Sequence, residues 1–191
     1  AVLRGMYYPG RIERRYGVRF PLAVAMENQT LPYGLGGLWA GSGARYSWRG
    51  VCACASRIPT TVHRRRPHEI YWWEGADGSR ILMRWHTLLG EEERESTGRY
   101  PNESIGGYAE ARDPAAAVEL VDGNPRFRSL YPYPVIGVFG KGWDDLKTLT
   151  DEFVTVARDR TNESRKVIVS DQLDFFRDFE AAHGEQLPTL S

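Results

Sequence analysis

The sequence predicts an α/β domain built on a largely parallel sheet with helices outside it. Three observations carry that expectation. Short apolar runs bounded by turn-forming residues recur along the chain, each about the length of a buried strand. Between several of them lie stretches whose apolar residues repeat at helical spacing. One Asp-Gly pair, Asp77-Gly78, separates two segments rich in aromatic and β-branched residues, the pattern of a hairpin inserted among the other elements. Apolar strands alternating with amphipathic helices argue for a covered sheet, either open or closed into a barrel.

Taken in order, residues 1–16 read as a helix tail, with Gly17 as the stop after Arg14, Arg15 and Tyr16. Phe20 to Met26 (FPLAVAM) reads as a buried strand feeding the polar stretch that begins at Glu27. Leu35 to Ser42 is a small-residue helix ended by Gly43, and Arg45 to Val51 is the next strand. HEIYWWE and SRILMRW, between His68 and Trp85, form the hairpin, with a two-residue type I′ turn expected at Asp77-Gly78. Residues 87–107 are polar and read as a long loop, the kind that is functional or disordered in a compact domain. Pro114 suits the first turn of a helix closed by Asp122-Gly123. Tyr133 to Phe139 is predicted as a buried strand, followed by the loop Gly140-Lys-Gly-Trp-Asp-Asp. Leu146, Leu149, Phe153 and Val156 then mark a helix, and Lys166 to Ser170 the last strand. Ser170 or Asp171 caps a final helix with Leu173, Phe176 and Phe179 on one face and Gly184 at its end.

Composition narrows the function classes. The formal charge is zero and the sequence pI is about 7.1, so no whole-molecule field draws nucleic acid or anionic lipid, and neither is an expected partner. No apolar run reaches 18 residues, so no helical membrane span is expected. Aromatic residues make up 12% of the chain; they serve as core or as platforms for sugar faces. Cys52 and Cys54 read as small buried residues, too close for an easy disulfide. The sequons at Asn28, Asn102 and Asn162 match the glycosylation pattern. Ala1 opens inside a helix and no starting Met precedes it, so the 191 residues are expected to form one domain that is a fragment or processed product. Oligomeric state and compartment are left open.

In sheets of this class the chemistry sits on loops at the carboxyl ends of the strands. Two predicted strand ends carry acids: Glu27, and the pair Asp144 and Asp145. Two carboxylates on neighbouring loops are the minimum equipment for glycoside hydrolysis, one to protonate the leaving oxygen and one to attack or to activate water. An Asp at this place also serves as a helix N-cap. Trp143 precedes the acids on a Gly-flanked loop and is a candidate sugar contact, as are Trp73 on the hairpin and His86 just beyond it. Trp72 and Trp73 point to opposite sheet faces, leaving at most one of them in the core.

From Ala25 onward the chain resembles the catalytic domain of glycoside hydrolase family 38, the α-mannosidases. Glu27-Asn-Gln-Thr leads in register to Leu35-Gly36 and then Gly41-Ser42-Gly43, where the family has a strand-end acid followed by a helix closing in Gly-Ser-Gly. HEIYWWEGADGSRILMRW looks like its Asp-Gly-Ser hairpin, SIGGYAEA sits where it has a loop and helix, and FGKGWDD looks like its acid-bearing strand end. VIVSDQLDFFRDFE is similar to its strand–helix pair, and the likeness runs in order from about residue 10 to 188. The resemblance implies a (β/α)7-type barrel and retaining cleavage of α-linked sugars in an oligosaccharide or glycan. It places Glu27 at the nucleophile and zinc-ligand position and Asp144 or Asp145 at the general acid. The family's zinc is held by a His-x-Asp pair, the nucleophile and a later His. This chain has Glu where the family has Asp and contains no His-x-Asp, so that strand is expected before Ala1. A catalytically silent carbohydrate-binding relative and a metal-dependent polysaccharide deacetylase remain the alternatives.

Overall fold

The computed structural model describes residues 2–25, 31–50, 67–86, 114–123, 125–138 and 151–191. Helices α1 (Val2–Gly5) and α2 (Tyr7–Tyr16) open the chain. Gly17, at φ 67°, ends α2 by donating its N–H to the Glu13 carbonyl. The Glu13 carboxylate then accepts the Phe20 N–H at 2.8 Å, turning the chain toward β1 (Leu22–Val24). Helix α3 (Leu35–Gly41) connects β1 to β2 (Tyr46–Gly50), which lies parallel beside it. Strands β3 (Ile70–Glu74) and β4 (Arg80–His86) form an antiparallel hairpin. Among the described residues four helices follow: α4 (Pro114–Gly123), α5 (Pro125–Leu130), α6 (Glu152–Arg160) and α7 (Gln172–His183). A 3-10 turn over Gly184–Gln186 leads to β5 (Thr189–Leu190).

The five strands form one sheet in the order β1-β2-β4-β3-β5. Strands β1, β2 and β4 run parallel, β3 runs against β4, and β5 runs parallel to β3. The expected α/β class with a largely parallel sheet is therefore present. Among the described residues this sheet is open, with β1 and β5 at its edges.

Strand alternation sends neighbouring side chains to opposite faces, and each face has its own core. On one, Ala25, Trp39, Ile81 and Met83 pack under α3 with Trp73 against them. On the other, Tyr46, Leu82, Phe127 and Tyr131 pack with Phe176 and Phe179 of α7. Tyr46 stacks on Phe176 at 5.3 Å between ring centroids. As the sequence implies, the Asp171 carboxylate caps α7 by accepting the Asp174 N–H at 2.9 Å. Glu180 ties the same helix to β2, accepting from Tyr46 Oη at 2.6 Å and from Arg45 Nε at 2.9 Å.

Several sequence expectations need correction. The expected hairpin is present, and β4 pairs with β2 and occupies the middle of the sheet. Its turn is not two residues long. Glu74 pairs with Arg80, and the Gly78 N–H closes on the Gly75 carbonyl, making Ala76 and Asp77 the central residues and leaving Gly78 at φ 77°. Asp77 favours this form because its carboxylate accepts both the N–H and the hydroxyl of Ser79.

Residues 131–138, the described part of the strand expected at Tyr133 to Phe139, join no ladder. Pro132 and Pro134 offer no N–H, and the carbonyls of Tyr133, Val135 and Gly137 accept from side chains. Lys166 to Ser170 is not a strand either: Ile168 and Val169 are exposed, and Val167 exchanges hydrogen bonds with the Thr161 hydroxyl. Both Trp72 and Trp73 pack against cores, contrary to the expectation that only one would. Strand β5 was not foreseen; two residues are too few to show a period.

Candidate functional site

Three parallel strands end along one edge of the sheet. In register, Val24 of β1 faces Trp48 of β2, and Gly50 at the end of β2 faces His86 at the end of β4. The ladder extends one step through the Ala25 N–H, which donates to the Trp48 carbonyl at 3.2 Å. Glu27 follows two residues later in sequence. This is the edge where α/β sheets of this kind carry their chemistry.

Glu27, Trp143, Asp144 and Asp145 lie outside the described residues, as do the side chain of His86 and Cys52 and Cys54. The backbone of His86 closes β4 at the carboxyl edge. Trp73 sits elsewhere. It pairs with Ile81 near the amino end of β4, five residues and about 17 Å of strand from His86. There it meets Trp39 edge-on at 6.2 Å and covers Gly36 of α3. The structure therefore does not bring Trp73 and His86 together.

The carboxyl half of the sheet holds a feature that sequence reading missed. Arg84 of β4 and Glu69, just ahead of β3, are almost wholly buried, with Arg84 Nη1 3.7 Å from Glu69 Oε2. Arg84 Nη2 donates to the Gly137 carbonyl at 3.2 Å, and its guanidinium lies 5.6 Å from the centre of the Tyr131 ring. The signal was in the alternation of SRILMRW. Leu82 points into the aromatic core, so Arg84, two residues on, must share that face.

Among the described residues, the titratable groups with clear shifts include Tyr46, Glu180, Asp77 and Tyr133. Burial first, and then the Glu180 hydrogen bond and charge, push the Tyr46 phenol up to about 12. For Glu180, burial is the largest influence and acts upward. The hydrogen bonds from Arg45 and Tyr46, with the Arg45 charge, outweigh it and hold the carboxyl below its usual range. The Ser79 hydroxyl, and then its N–H, lower Asp77, while burial raises Tyr133. Among the described residues no group of three or more His, Cys, Asp or Glu side chains is placed to hold a metal ion. No described helix is long and apolar enough to cross a membrane.

Fold and edge together define an α/β domain with a mixed, mostly parallel sheet whose parallel strands end side by side. No family model and no curated protein sequence matches the chain.

Proposed function

We propose that the chain forms part of a retaining, α-mannosidase-like glycoside hydrolase acting on α-linked sugars of an oligosaccharide or glycan. The observation that carries this reading is the common carboxyl edge of β1, β2 and β4. The sequence runs from β1 into Glu27, and His86 ends β4 at the same edge. The ordered motifs shared with glycoside hydrolase family 38 support it from the sequence side. The (β/α)7-type barrel is part of the same proposal, with the open sheet as one portion of it.

In this reading the Glu27 carboxylate attacks the anomeric carbon while Asp144 or Asp145 protonates the departing oxygen. The same acid then takes a proton from the water that releases the sugar. Retention requires the two carboxylates roughly 5–5.5 Å apart; roughly 6.5–9.5 Å would give inversion. Trp143 and His86 are the proposed sugar contacts. Zinc would grip sugar hydroxyls, but a catalytic zinc needs about three protein ligands. At the family's positions this chain supplies one, Glu27. The donor set does not fit, and no step above runs through the metal.

The test is hydrolysis of an aryl α-mannoside by the full-length protein and by its Glu27→Gln variant. Cleavage with retained anomeric configuration, lost in the variant, supports the proposal; an undiminished rate in Glu27→Gln removes Glu27 as nucleophile. The single zinc donor favours one second reading, a silent carbohydrate-binding relative. Binding of methyl α-mannoside without any cleavage would select it.

A further inference from the structure

We infer that Arg84 is a positioning residue, which fixes the irregular segment 131–138 against the carboxyl half of the sheet. Its consequence for catalysis rests on the glycosidase reading; its structural basis does not.

Residues 131–138 carry an apolar composition suited to a strand, yet side chains replace the ladder. Three alternate carbonyls accept in turn: Tyr133 from Arg128 Nη1 at 3.1 Å, Val135 from Tyr131 Oη at 2.6 Å, and Gly137 from Arg84 Nη2 at 3.2 Å. The first two donors belong to α5 and to the segment itself. Arg84 is the donor that comes from the sheet. It is 1% exposed, lies two residues before the end of β4, and reaches a buried glycine. Gly137 stands seven residues ahead of Asp144 in sequence.

Burying a guanidinium and a carboxylate is costly, and apolar replacement of such a pair is often neutral or stabilising. A buried pair that also holds a neighbouring segment has a reason to be there other than stability. Arg84 satisfies this: one guanidinium nitrogen faces Glu69, and another is committed to the Gly137 carbonyl.

The experiment compares the 191-residue chain with the double variant Arg84→Met/Glu69→Gln, which removes both charges and so leaves neither buried alone, and with Arg84→Lys. Hydrogen exchange is followed in peptides covering 131–138, with α3 and the β3–β4 hairpin as internal references. Loss of a charge-assisted hydrogen bond predicts exchange about 10-fold or more faster in 131–138. The references and the urea midpoint stay unchanged. In the full-length protein carrying the same substitutions, kcat on an aryl α-mannoside falls about 10-fold while KM holds within about twofold, because the anchor acts on geometry rather than on binding.

Unchanged exchange in 131–138, or equal acceleration everywhere, overturns the inference. If the double variant does not fold, Arg84→Lys decides by the same local readout. A full-length protein that cleaves nothing defeats the glycosidase reading, whereas the exchange result still settles the anchor.

Discussion

Replacing Glu180 with alanine tests how α7 is held to the sheet. The carboxylate takes two kinds of donor, and they are worth different amounts. Arg45 is more than half exposed, so its ion pair is a surface contact worth about 0.2–1 kcal/mol. Tyr46 is buried, and its hydroxyl bond to a charged acceptor is worth about 1.5–3 kcal/mol. Glu180→Ala should therefore cost about 2–3 kcal/mol in urea unfolding at neutral pH, and Tyr46→Phe most of that. Arg45→Ala should cost less than about 1 kcal/mol, and the two larger losses should not add.

The pH dependence gives an independent check. The folded Glu180 pKa lies below its ordinary 4.5, so its contribution is present above that value and is lost as pH falls through the folded value. The folded Tyr46 pKa is raised from 10.0 to about 12, so its contribution is present below pH 10 and is lost as pH rises toward 12. The stability gap between wild type and Glu180→Ala should close in acid, and that between wild type and Tyr46→Phe in strong base. Gaps that stay constant with pH, or a Glu180→Ala cost below about 0.5 kcal/mol, would refute the reasoning.

Two further substitutions probe the packing. A Cβ on Gly75 would lie 2.9 Å from the backbone nitrogen of Gly37, a contact no side-chain rotation relieves. Gly75→Ala should lower stability by about 1–3 kcal/mol in urea, whereas Gly36→Ala meets the Trp73 ring at 3.6 Å and should be neutral or stabilising. Both ring nitrogens of His183 are buried without a hydrogen-bond partner among the described residues, beside Tyr133 and Phe179. His183→Leu should be neutral or stabilise by up to about 1 kcal/mol, and a clear loss in thermal unfolding would show that the imidazole has a polar role.

Local signals carried the elements they govern. Gly17 and Gly43 adopt positive φ at the helix ends the sequence marked, Asp171 caps α7, and Asp77-Gly78 falls within the hairpin loop. The failures are of another kind. YPVIGVF and KVIVS have strand composition, yet a strand exists only where a neighbour offers a matching edge, and neither run finds one among the described residues. The central place of β4 depends on which strands meet across the sheet, which periodicity does not encode. At the candidate site, sequence order pointed to the edge where the parallel strands end. Arg84 escaped notice because its partners, Glu69 and Gly137, are distant in sequence. Trp73 looked like a sugar platform because composition does not say that α3 covers that face.

The aromatic core has a consequence for the order of events during synthesis. Three of its rings, Phe175, Phe176 and Phe179, belong to α7, and β5 closes on β3 over a separation of more than a hundred residues. A ribosome extends a chain at about 5–20 residues per second. For several seconds after β2, β3 and β4 have emerged, Tyr46, Ile70 and Leu82 therefore have no helix α7 to cover them. The α3 side can assemble early from near neighbours, while the opposite side waits for α7, more than eighty residues after β4. The nascent chain is thus exposed to aggregation on one face of its sheet, and the arrival of α7 and β5 is what ends that exposure.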